Sequence, residues 1–115
     1  MVSNIPKEVL DEVMFIPEGL SYLIGYKCTR GYGKLVDDTY RGILSYLITH
    51  DEVYIKELER VYSEVLNIWY DMFGGPGYHY GEPSHPAEYC IDILYRVLKI
   101  FLNNYRYLWG GTYYV

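Results

Sequence analysis

The segment from Ser84 to Trp109 restricts the fold of this chain more than any other. Ser84 is a suitable N-cap, Pro86 falls in the first helical turn, where a missing N–H costs nothing, and Gly110-Gly111 follows as a stop signal. Wound at about 100° per residue, Glu88, Asp92, Arg96, Lys99, Asn103 and Arg106 form one polar strip roughly 80° wide. Beyond Pro86, all other residues but Asn104 are apolar or aromatic. A surface helix buries a stripe of little more than 100°, so an apolar arc of roughly 240° must meet neighbours on two or three sides. The segment is therefore either the centre of a bundle or a helix with one flank left for an oligomer. Tyr89, Ile93, Ile100 and Tyr107 line one edge of the arc, and Tyr95, Leu102 and Trp109 the other. Few helices remain to cover both, and an exposed aromatic edge of that length marks a protein interface. The first edge is thus the expected interface.

The rest of the chain supplies those neighbours. Residues 4 to 15 predict a short helix with Ile5, Val9, Leu10, Val13 and Met14 on one face, broken by Pro17. Residues 20 to 28 alternate (Leu20, Tyr22, Ile24, Tyr26, Cys28) with the period of a half-buried strand, whose partner would be residues 112 to 115; a short helix is the rival. Thr29 to Lys34 reads as a glycine-eased loop. Leu35 to Ile48 predicts a helix with Val36, Tyr40, Ile43, Leu44 and Leu47 inward and Asp38, Arg41, Ser45 and Thr49 outward. Thr49 and Glu52 form a capping box opening a helix to Phe73 with Tyr54, Leu58, Val61, Val65, Ile68 and Met72 as its stripe. A loop rich in Gly and Pro, residues 74 to 83, then returns the chain antiparallel. The expected architecture is a single helical domain over residues 1–115, mainly α: a compact bundle of about four helices with the C-terminal helix central, to which a minor two-stranded sheet could be added.

Half of the residues are hydrophobic and 22% charged, which excludes disorder, and no run is long enough to span a bilayer. Without a signal-peptide pattern at the start, an intracellular location is expected. The net charge of -5 is uneven, because residues 49 to 73 hold six acids against two bases. Lys27, Arg30, Lys34 and Arg41 face only Asp37 and Asp38 in the preceding segment. Cys28 and Cys90 lie far apart, which permits a disulfide without arguing for one; their apolar neighbours favour buried free thiols.

Chemistry-bearing residues are sparse. His79, Glu82 and His85 recur at three-residue intervals in the long loop and could bind a metal, but they lack a fourth ligand and helical His-Glu-x-x-His spacing, so they are weak candidates. The Arg30-Gly31-Tyr32-Gly33-Lys34 stretch could cradle a phosphate, although Leu35 after Lys34 departs from a Walker motif. Lys27, Arg30, Tyr32, Lys34 and Arg41 together form the candidate nucleic-acid-binding set, the cations tracking phosphates and the aromatic stacking on a base. No catalytic constellation is indicated and no cofactor is implied.

Sixteen tyrosines, a single alanine (Ala87) and no glutamine complete the picture. In this the chain resembles the small Tyr- and Ile-rich orphan proteins of viruses that infect hyperthermophilic archaea. The resemblance is compositional, so it carries over no functional residue. It implies a viral or archaeal origin, residence in the host cytoplasm or the virion, and a host or viral protein as partner. The function expected is that of a structural or interaction protein that self-associates through its aromatic-rich final helix, with nucleic-acid binding by the basic Gly/Tyr stretch as the alternative.

Overall fold

The structure, a computed structural model, describes residues 5–25, 28–74 and 86–108, without the side chains of Thr29, Arg30 and Pro86. Five α-helices and one 3-10 turn follow in order: α1 (Lys7–Val13), α2 (Phe15–Gly25), α3 (Thr29–Thr49), α4 (Glu52–Phe73), α5 (Pro86–Asn104) and the turn Tyr105–Leu108. No strand occurs among the described residues.

The break between α1 and α2 falls at Met14, whose N–H reaches Leu10 O at 3.1 Å. Pro17 then sits in the first turn of α2, where its missing N–H has no partner to lose. It belongs to the opening of a second helix instead of ending the first. The strand expected at residues 20 to 28 is likewise corrected, since residues 20 to 25 belong to α2; residues 112 to 115 lie outside the described residues. The helix buries Ile16, Gly19 and Leu23, at i, i+3 and i+7. A Cβ at Gly19 would stand 2.5 Å from Val97 Cγ2, so α2 approaches α5 as closely as only glycine permits.

Residues 29 to 34, expected as a loop, are the first turns of α3. Gly31 holds φ +93° there, a left-handed value that other residues rarely adopt. At the other end His50 closes α3 at φ 58°, its N–H bonded to Tyr46 O at 2.7 Å. The expected Thr49–Glu52 capping box is replaced by a simple cap two residues along: Asp51, not Thr49, is the N-cap of α4, its Oδ1 accepting from Val53 N–H at 3.0 Å. Thr49 braces the turn by donating to Ser45 O at 2.7 Å and accepting from Asp51 N–H at 3.2 Å.

Helices α1 and α2 run antiparallel to α5 as one leg, with Asn104 Nδ2 donating to Glu12 Oε1 at 2.8 Å near one end and Gly19 against Ile93 and Val97 further along. Helix α3 runs parallel to α5, since Cys28 meets Cys90 at one end and Tyr46 meets Phe101 and Tyr105 edge-on at the other. Helix α4 returns antiparallel: Tyr105 OH donates to Glu52 Oε1 at 3.3 Å, and Trp69 Nε1 to Asp92 Oδ1 at 3.4 Å. The result is an up-down-up-down bundle of four legs. As its wide apolar arc predicts, α5 is central, packed against each of the other four helices. Ile91, Leu94, Val97, Leu98 and Phe101 are fully buried. Asn104, the one polar residue of that arc, is buried too and is satisfied by Glu12 and by Ile100 O at 2.8 Å.

Two further expectations are corrected. Cys28 and Cys90 form a disulfide, Cα atoms 5.5 Å apart, and are not free thiols. Helix α3 is also rotated from its predicted face: it buries Leu35, Val36, Thr39, Ile43 and Tyr46. The Thr39 hydroxyl is satisfied by Leu35 O at 2.7 Å, and Gly42 lies flat against Leu58 of α4, where a Cβ would stand 2.7 Å from Leu58 Cδ2. Tyr40, Leu44 and Leu47, expected inward, are exposed as a result.

Candidate interaction surface

That rotation exposes an apolar helix face. Tyr40, Leu44, Leu47 and Ile48 stand at i, i+4, i+7 and i+8 on α3, so they share one helix face. Ile48 is 77% exposed and the other three between 37% and 39%. Gly42 marks the side of α3 that meets α4, and winding about the helix axis places this apolar face on the opposite side, toward α1 and α2. On α1, Glu12 reaches α5 from one flank of the Val9/Val13 stripe, while Leu10 and Met14 occupy the other flank. Both of these are exposed as well, Met14 at 65%. The Glu12–Asn104 and Tyr46–Tyr105 contacts put the two sets at the same end of the bundle.

The final helix presents its predicted interface unevenly. Tyr89 and Tyr107 are exposed at 42% and 43%, whereas Ile93 and Ile100 are half-buried and pack against the core, Ile93 within reach of Gly19. The opposite edge is roofed by α4: Tyr95 stacks on Trp69 at 4.8 Å and on Tyr62 at 6.0 Å between ring centroids. Arg96 lies over the Phe15 ring at 4.2 Å, a cation–π contact that covers part of the polar strip. Trp109 lies outside the described residues.

Of the candidate nucleic-acid set, Lys34 and Arg41 stand seven residues apart on one side of α3. Lys34 pairs with Asp38 at 2.7 Å and Arg41 with Asp37, each one helical turn away on α3. Tyr32 is half-buried against the core. Lys27 lies outside the described residues, and the Arg30 side chain is not described. With residues 29 to 34 helical, the segment forms no glycine cradle. His79, Glu82 and His85 also lie outside the described residues; among the described ones no three His, Cys, Asp or Glu side chains converge as metal ligands would.

Sequence reading did not anticipate a polar cleft of about 270 Å³ at the α3–α4 turn, lined by Tyr46, His50, Glu52 and Arg106. Burial, followed by the nearby Glu52 carboxylate, raises the Tyr46 phenol above its ordinary value of 10.0. The same causes, burial first and then neighbouring Tyr95 and Tyr70, raise Tyr62. Neither shift moves a group toward neutral pH, where acid–base chemistry would require it. Nor did it anticipate the exposure of Leu10, Met14 and Ile48. One signal was available for α3: from Leu35 round to Ile48 its apolar residues span roughly 220°, twice what a surface helix buries.

No helix among the described residues is long and apolar enough to cross a membrane. Compared with family models, with curated proteins and with solved structures, the chain matches none.

Proposed function

We propose that this chain is a small interaction protein that associates with copies of itself, and that its biological role is carried by assembly, not by chemistry on a small substrate. The observation behind this is the clustering of exposed apolar residues. Large hydrophobics scattered singly over a surface are ordinary, but Tyr40, Leu44, Leu47 and Ile48 share one helix face, with exposed Leu10 and Met14 at the same end of the bundle. Tyr89 on α5 and Tyr107 in the 3-10 turn after it add exposed aromatic area elsewhere. The ion-paired state of Lys34 and Arg41 leaves the alternative, nucleic-acid binding, without a specific observation in its favour.

A viral or archaeal origin remains the provenance implied by the composition. The Cys28–Cys90 bond is in keeping with it, because intracellular proteins of hyperthermophilic archaea are unusually rich in disulfides. Light scattering at two protein concentrations tests the functional proposal. A stable homo-oligomer is expected, unchanged by a short single-stranded oligonucleotide. A monomer that gains mass only with the oligonucleotide would overturn it.

A further inference from the structure

We infer that the self-associating surface is the α1/α3 face and that its occupant is a second copy of the chain, α3 packing antiparallel on the partner's α3 about a two-fold axis beside Leu44. This rests on self-association as proposed above and names the face and the symmetry.

Three observations carry it. The first is area. Taking about 200 Å² for a fully exposed residue, the exposed parts of Leu10, Met14, Tyr40, Leu44, Leu47 and Ile48 come to roughly 600 Å², against about 800 Å² per partner in a standard specific interface. The paired Asp37 and Arg41, on the same side of α3, belong to the polar rim that makes up the difference.

Charge is the second. Residues 51 to 71 hold six acids against two bases, so most of the net charge of -5 belongs to α4 and its cap, on the far side of α3 from this face. Bordering the face, Arg41–Asp37 is neutral as a pair, and Lys7–Asp11 on α1 closes likewise at 3.0 Å. An isologous contact brings every charge against its own copy's surroundings, so a locally neutral border avoids the like-charge repulsion that α4 would suffer.

The third is shape. A helix face with i, i+4, i+7 and i+8 apolar positions is self-complementary when two copies cross antiparallel. With the axis at Leu44, Tyr40 of one protomer meets the Ile48 end of the other. Both native cysteines are engaged in one disulfide, so an added thiol has no internal partner.

The experiment combines cross-linking with mass. Leu44→Cys is oxidised and run without reductant; the expected result is near-complete covalent dimer, with Glu59→Cys on the exposed side of α4 remaining uncross-linked. In parallel, light scattering compares the unmodified protein with Leu47→Glu/Ile48→Glu and with Tyr89→Glu/Tyr107→Glu, circular dichroism verifying that each is helical. The α3 pair should raise the dimer dissociation constant by at least ~100-fold, and the α5 pair should leave it within a few-fold. An oligomer that survives the α3 pair and is lost with the α5 pair would keep self-association and overturn this face. An unmodified protein monomeric at all concentrations would overturn both. A monomer whose melting temperature falls with Ile48→Glu would show the face covered by the chain itself, again refuting the second copy as occupant.

Discussion

Removing the Cys28–Cys90 bond should destabilise the bundle more than any single surface change. The bond joins the start of α3 to the start of α5 across a sequence separation of 62 residues. Closing a loop of that length lowers the entropy of the unfolded chain enough to stabilise the folded state by about 4 kcal/mol. Both side chains are buried, at 1% and 5% exposure, so alanine replaces the sulfur without placing a hydroxyl in the core. That is a large share of the total, because stabilities of domains this size run to about 5–15 kcal/mol. With a urea slope of about 1.5 kcal/mol/M, Cys28→Ala/Cys90→Ala should unfold about 2.5–3 M earlier than the oxidised protein. Urea titrations followed by helical dichroism and by Trp69 fluorescence, at one fixed protein concentration, measure this. Reduction of the unmodified protein should reproduce most of the loss, and either single alanine should cost nearly as much as both together. A midpoint within ~0.5 M of the oxidised protein would refute the pairing as a source of stability.

Three smaller perturbations follow from the packing. Gly19→Ala places a methyl group against Val97 and should cost about 1–3 kcal/mol, offset by up to ~1 kcal/mol of helix propensity; a net gain in urea midpoint would contradict the close α2–α5 approach. Asp51→Ala removes the cap on Val53 N–H and should cost about 1 kcal/mol, read by thermal melting; an unchanged melting temperature would argue against the cap. The phenols of Tyr46 and Tyr62 are raised in the folded state, so the stability they contribute is whole below pH 10 and is lost as pH climbs past that value. Tyr46→Phe/Tyr62→Phe should therefore flatten the alkaline fall in stability above pH 10 while leaving neutral pH little changed, and an equally steep fall would rule these two out as its source.

The long helices were legible in the sequence because their burial is carried by hydrophobic side chains at a clean period. Leu58, Val61 and Val65 of α4 and Leu94, Leu98 and Phe101 of α5 are buried as their spacing predicts. Helix α2 was obscured because one of its contact positions is Gly19, which adds no hydrophobicity to the pattern, while exposed Ile24 adds some where none is buried. The start of α3 was obscured for a related reason. Two glycines in six residues speak for a loop locally, yet the Cys28 tether and the packing of Leu35 and Val36 hold the segment helical, with the strain relieved at Gly31. Pairing of the cysteines could not be read from spacing, since it depends on α3 and α5 starting at the same end of the bundle.

The surface was legible only in part. Apolar excess on the final helix was visible, and so was the excess on α3, but which excess the monomer covers is decided by three-dimensional contacts. Gly19 lets α2 settle over Ile93 and Val97, and Gly42 lets α4 settle on the far side of α3. Two glycines thus seat α2 on α5 and α4 on one side of α3, and the Tyr40–Ile48 face stays open.

Self-association is the central claim, and the solution mass of the unmodified, oxidised protein tests it most directly. Light scattering across a tenfold range of concentration should give twice the chain mass of 13.6 kDa. A mass of one chain at every concentration would contradict it.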